Sequence, residues 1–93
     1  MWLEENCEIY IIEIHSEEER NNFINHIFNL HLWFEIKLTG KYESKQYAYV
    51  SVRNRKIEFK ALYYQALLGP TGKFFNSVEN FFSSEYFREN YLK

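Results

Sequence analysis

From Leu32 to Leu38 the chain alternates strictly, with Leu32, Phe34, Ile36 and Leu38 interleaved by Trp33, Glu35 and Lys37. The alternation returns from Lys45 to Arg53, where Ala48, Val50 and Val52 take turns with Tyr47, Tyr49 and Ser51. A period of two places successive side chains on opposite faces, so these segments are strands with one apolar face to bury. A sheet that needs a cover on that face is the first constraint on the fold. The cover has a clear source between the strands. Ser16 and Glu19 have the spacing of a capping box, and Glu17, Glu18 and Glu19 place negative charge on a helix N-terminus. Phe23, Ile24, Ile27 and Phe28 then share one helical face. Upstream, Cys7 to Ile14 (CEIYIIEI) is dense in β-branched residues and reads as a first strand.

The stretch Gln46 to Phe59, QYAYVSVRNRKIEF, admits either a hairpin turning at Asn54-Arg55 or a strand that hands over to a helix. Ile57-Glu58-Phe59 alternates like a strand. Phe59, Leu62, Tyr63, Ala66 and Leu67, however, follow i, i+3, i+4, i+7, i+8, with Asn54 as N-cap and Gly69-Pro70 as a stop. This spacing predicts a strand over 46–53 and a helix over 55–68. Gly72 to Ser77 suits a short closing strand, and Ser77 caps a last helix carrying Val78, Phe81 and Phe82, which Ser83-Ser84 interrupts. The expected fold is α+β: a ferredoxin-like βαββαβ sheet with two helices on one face, plus a C-terminal helix. The chain is expected to be a single domain over 1–93, with its core over about 8–78 and a helical extension over 78–93.

In that arrangement Trp33, Glu35, Lys37, Tyr47, Tyr49, Ser51 and Arg53 point away from the helices, joined by Tyr10 from the first strand. Charge is distributed unevenly along the chain. Residues 1–36 hold eight Glu against Arg20 alone, a net −7, whereas residues 37–73 hold eight Lys or Arg against Glu43 and Glu58, a net +6. Such polarity fits solvated faces of opposite sign and also fits a basic surface with an anionic partner.

The aromatic and basic face resembles that of the RNA-recognition motif. The octapeptide of that family, K/R-G-F/Y-G/A-F-V-x-F/Y, is similar to Lys45 to Val52, K-Q-Y-A-Y-V-S-V, at five of seven specified positions when aromatics count as equivalent. Ile9-Tyr10-Ile11 resembles the family's first-strand signature, and Thr39-Gly40-Lys41 and Lys60-Ala61-Leu62 are similar to its usage elsewhere. The resemblance covers residues 8–78. It implies a stacking platform of Tyr10, Tyr47 and Tyr49 for unpaired bases, with Lys37, Lys45 and Arg53 on phosphates. Two positions depart from it: Gln46 stands where the family has glycine, and Val52 where it has a third aromatic. Domains with such incomplete signatures resemble the protein-binding members of the family. The same tyrosines also fit plain cross-strand pairing or burial beneath the C-terminal helix.

Catalytic patterns are weak. The chain has no Asp, and its histidines are His15, His26 and His31, whose spacing together with Cys7 makes a poor metal set. Cys7 and His15 as nucleophile and base would stand about 26 Å apart on one strand. Gly69-Pro-Thr-Gly-Lys73 lacks the spacing of a phosphate loop and reads as a helix stop. A single cysteine forms no intrachain disulfide, the N-terminus lacks the basic-then-apolar order of a secretory signal, and no apolar run reaches membrane-span length. These features lead to the expectation of a soluble cytoplasmic protein with no cofactor, no metal and no small-molecule substrate.

The expected function is a non-catalytic interaction module, an inhibitor, adaptor or regulator that binds another protein or itself. Seventeen Phe and Tyr plus two Trp in 93 residues exceed what one small core readily buries. The expected contacts lie on the aromatic sheet face (Tyr10, Trp33, Lys37, Lys45, Tyr47, Tyr49, Arg53) or in the tail (Phe81, Phe82, Tyr86, Phe87). The tail is expected to lie on the uncovered sheet face, over Tyr47 or Tyr49. Single-stranded RNA is the alternative ligand. Richness in Asn, Lys, Ile, Phe and Tyr suggests an AT-rich genome, such as that of a bacterium, phage or other mobile element.

Overall fold

The computed structural model describes residues 9–29, 34–37, 42, 44–51, 55–68, 72–84 and 87. The elements are β1 (Ile9–Ile14), α1 (Glu17–Asn29), β2 (Glu35–Lys37), β3 (Gln46–Ser51), β4 (Lys56–Lys60), a 3-10 turn (Gln65–Leu67), β5 (Phe74–Phe75) and α2 (Val78–Phe82). The five strands form one sheet in the order β2-β4-β3-β1-β5. Pairs β1–β3 and β3–β4 are antiparallel, and β2–β4 and β1–β5 are parallel, so β3 alone runs against the others. The fold is α+β with a mixed sheet. No helix among the described residues is long and apolar enough to cross a membrane.

Helix α1 begins where the sequence places it. Ser16 Oγ accepts from the Glu19 N–H at 3.1 Å, and Glu19 Oε1 accepts from the His15 N–H at 2.7 Å, a capping box whose return bond lands one residue early. Its buried stripe is Arg20, Phe23 and Ile27, with Ile24 partly covered. Phe28, expected on that stripe, is 61% exposed because the sheet meets the helix along the 20-23-27 line. Arg20 is itself buried. Its guanidinium donates to Gln46 Oε1 at 3.3 Å and lies over the Tyr42 and Phe59 rings. Gln46, which occupies the signature's glycine position, thus serves the helix-covered side of the sheet.

The stretch 46–59 is a hairpin, which corrects the strand-to-helix reading. Val50 pairs with Ile57 and Ala48 with Phe59, and Arg55 takes the left-handed backbone (φ 54°) that returns the chain. Asn54 and Gly69-Pro70, the proposed cap and stop, lie outside the described residues. Burial explains the outcome. As a strand, KIEFK sends Ile57 and Phe59 fully into the core, whereas the residues that a helix would bury stay outside, with Leu62 61%, Tyr63 40% and Leu67 39% exposed. With β4 in place of the second helix, and β5 parallel to β1, the ferredoxin-like order is not confirmed.

The two crossovers determine how the sheet is covered. From β1 through α1 to β2 the chain crosses toward one edge, while from β4 through residues 61–73 to β5 it crosses toward the other. Right-handed connections moving in opposite directions must lie on opposite faces. The contacts agree. Phe23 and Ile27 of α1 join a core with Tyr10, Ile12, Ile14, Ala48, Val50, Ile57 and Phe59, whereas residues 62–64 meet Tyr47 and Tyr49 on the reverse side.

Helix α2 packs on the α1 side. Ser77 Oγ caps it by accepting from the Asn80 N–H at 3.0 Å. Phe81 meets Phe23 at 6.1 Å and Phe75 at 5.3 Å edge-on, and Phe87 lies 5.2 Å from Phe81 and 4.9 Å from Phe82. Phe81 and Phe87 are each 1% exposed, so these two tail aromatics are core residues rather than an interface, and the described residues of the tail, 78–84 and 87, pack on the α1 side and not over Tyr47 or Tyr49. Tyr86 lies outside the described residues. Helix α2 goes to this side because its apolar partners Phe23 and Phe75 are there.

Candidate binding face

The reverse side of the sheet carries Glu35 and Lys37 from β2, Lys56, Glu58 and Lys60 from β4, Tyr47, Tyr49 and Ser51 from β3, Ile9, Ile11 and Glu13 from β1, and Phe74 from β5. Tyr10 is not among them. Its register partner is Val50, and it lies 3% exposed in the helix-side core, which corrects its expected place. Strand β1 is apolar on both faces because both are covered, so alternation alone gave no phase for it. Trp33 and Arg53 lie outside the described residues.

Tyr49 is also not an open platform. Residues 61–68 run over it as a strap, leaving it 4% exposed. Its hydroxyl donates to the Leu62 carbonyl at 2.7 Å and accepts from the Tyr64 N–H at 2.7 Å, so one side chain satisfies both backbone groups of the irregular crossover. Burial raises the phenol above its ordinary value, and the bond from Tyr64 acts against that rise. The group therefore stays neutral and retains the proton it donates.

Beyond Tyr49 the aromatics remain in view. Tyr47 is half-buried and its ring lies 5.6 Å from Tyr63, which meets Phe74 edge-on at 5.3 Å. Leu62, Tyr63, Tyr64, Leu67 and Phe74, all at least 39% exposed, make an apolar surface of the strap and the neighbouring edge strand. A groove of about 260 Å³ opens beside the strap, lined by Ile9, Tyr49, Ser51, Lys56, Glu58 and Leu67. Of the exposed set, Leu62, Tyr63 and Leu67 have the spacing of one helical face and were expected in a helix. The surplus of aromatics was the signal that some had to be displayed, but it did not say which.

The charged part of the face is largely self-complementary. Glu35 stands opposite Lys56, and Lys37 opposite Glu58, around a hollow of about 90 Å³. Lys37 is therefore placed on the reverse face as expected. Lys45 pairs with Glu13 at 2.8 Å, and His15 bridges Glu13 at 3.4 Å and Glu19 at 3.1 Å. The hydrogen bond from Lys45, helped by His15 and opposed by burial, holds the Glu13 carboxyl below its ordinary value of 4.5. A depressed carboxylate contributes stability that is present above the unfolded value and is lost as pH falls through the folded one. Chemical denaturation across the acid range should therefore show stability declining below about pH 4.5, with a shallower decline in Glu13→Gln. An identical decline in that variant would remove the pair from the account.

Among the described residues no group of three or more His, Cys, Asp or Glu is arranged to hold a metal ion. His26 stacks on Phe82 at 4.0 Å, and His31 and Cys7 lie outside the described residues. What this face offers chemically is apolar contact area, phenol hydroxyls, and lysines interspersed with carboxylates. No family model matches the chain, and neither a curated protein nor a solved structure matches it.

Proposed function

We propose that the protein is a non-catalytic interaction module, an inhibitor, adaptor or regulator, that binds another protein through the strap face. The observation that supports this reading is the exposed set of Leu62, Tyr63, Tyr64 and Leu67 along the strap, with Phe74 meeting the Tyr63 ring. Large apolar side chains held out of the core are what protein interfaces use as anchors, and tyrosine is among the residues that dominate them. Tyr63 is the central candidate because Tyr47 and Phe74 flank its ring.

Single-stranded RNA is the second reading. In its favour, the two signature-like segments lie on paired neighbouring strands, Ile9 opposite Ser51 and Ile11 opposite Tyr49. Against it, two of the three stacking rings, Tyr10 and Tyr49, are at most 4% exposed. A pull-down on the immobilised chain, with and without nuclease, separates the readings. Nuclease-resistant protein capture that Tyr63→Ser reduces at least about tenfold is the expected result. Capture that disappears with nuclease, or that Tyr63→Ser leaves unchanged, would overturn the proposal.

A further inference from the structure

We infer that the protein forms a two-fold dimer through the β2–β4 side of the reverse face, Glu35 of each copy meeting the partner's Lys56 and Lys37 meeting the partner's Glu58. The inference goes beyond the interaction-module reading and does not rest on it, because it uses strands that the strap leaves bare. Three observations carry it. First, the four charges form a square of alternating sign. Glu35 is in register with Lys56 and Lys37 with Glu58, so each strand carries one charge of each kind. The four line a shallow hollow; Glu35, Lys37 and Lys56 are exposed, and among the described residues no ion pair engages any of them.

Second, the alternation selects the occupant. A nucleic acid, an acidic segment or a basic one meets a charge of the wrong sign for each of the right sign, and like charges across an interface oppose association. A surface bearing the same square satisfies all four, and a second copy necessarily bears it. In a two-fold interface, where residue i meets j, j also meets i, so each pair is made twice.

Third, the strap fixes the axis. Residues 61–68 stand over β3 and reach Phe74 of β5 but leave β2 and β4 open. An axis across the strands would stack strap on strap and hold the charged strands of the two copies apart. An axis along the strands, between β2 and β4, exchanges those strands and places each strap outside the partner's β2. It sets Glu35 against the partner's Lys56. Exposed Leu67, at the step beside Lys56 and Glu58, comes against the partner's β2 edge and adds apolar contact.

The test is sedimentation equilibrium of the chain over a range of concentrations at low salt, with the folding of each variant checked by thermal unfolding. The expected result is a reversible monomer–dimer equilibrium that shifts toward monomer as salt rises. Glu35→Lys and Lys56→Glu, each placing like charges together at both ends of the interface, should weaken it at least about tenfold. An equal mixture of these two variants should associate again, because each then offers the charge that the other lacks. The double variant Glu35→Lys/Lys56→Glu should dimerise alone. Lys37→Glu mixed with Glu58→Lys repeats the experiment on the second pair, should a variant of the first fail to fold. A chain that stays monomeric, a dimer indifferent to both single variants, or variants that do not recover on mixing would overturn the inference. So would a dimer that Tyr63→Ser abolishes, since that places the contact on the strap. Loss of nuclease-resistant capture with the dimer intact overturns the module reading alone.

Discussion

Removing residues 78–93 should leave a chain with no cooperative unfolding transition. The deletion strips Val78, Phe81 and Phe87 from the core, all at most 8% exposed, and uncovers Phe23 and Phe75, against which Phe81 packs. Truncating one buried Phe to Ala typically costs about 3–5 kcal/mol. Losing two outright therefore approaches the entire stability of a small domain, roughly 5–15 kcal/mol. Near-ultraviolet circular dichroism and amide dispersion would report the loss directly. A truncated chain with native dispersion would mean that the tail is a separable appendage after all.

The two tyrosines of β3 should behave very differently, although the alternation of Gln46 to Ser51 puts them on the same face. Tyr49→Ala is expected to cost about 3–5 kcal/mol, as for other buried aromatics, because it empties a buried site and strands the Leu62 carbonyl and the Tyr64 N–H. Tyr47→Ala, at a half-buried ring that lies tilted against Tyr63, is expected to cost about 1 kcal/mol. Urea denaturation of both variants measures the difference. Tyr49→Phe isolates the hydroxyl, with an expected cost of about 1–3 kcal/mol and faster hydrogen exchange at the Tyr64 amide. Equal costs for the two alanine variants would show that the strap does not depend on Tyr49.

Helix caps and strand alternation survive in the structure, whereas the helical spacing from Phe59 to Leu67 does not. Ser16 and Ser77 cap helices, 46–51 is a strand and Phe74-Phe75 is the short closing strand, because caps and alternation are set by neighbours within a few residues. The interval 55–68 was misread because the apolar residues after Phe59 fit helical spacing, while the reward for a strand, Ile57 and Phe59 entering a core beside Val50 and Ala48, comes from pairing across the hairpin. Tyr10 was misplaced for a related reason. Its phase depends on which face of β1 each crossover covers, a property of the whole topology. Of the candidate site, Lys37, Tyr47 and the surplus of aromatics were legible. The strap was not, because its residues gain their position from the Tyr49 hydroxyl rather than from any repeat of their own.

The strand order also sets a timetable for folding. Only β3 and β4 are neighbours both along the chain and in the sheet; β1 must wait for β3 and β5, and β2 for β4. The β3–β4 hairpin can form early at little loop-closure cost, whereas every other pairing joins distant segments and is correspondingly slow. Because β5 and α2 complete the core after all the other elements have been made, a chain emerging from the ribosome holds β1 and α1 without their final partners until residues 74–87 have been synthesised. The apolar surfaces of Ile12, Ile14 and Phe23 are open to chaperones, or to wrong partners, throughout that interval.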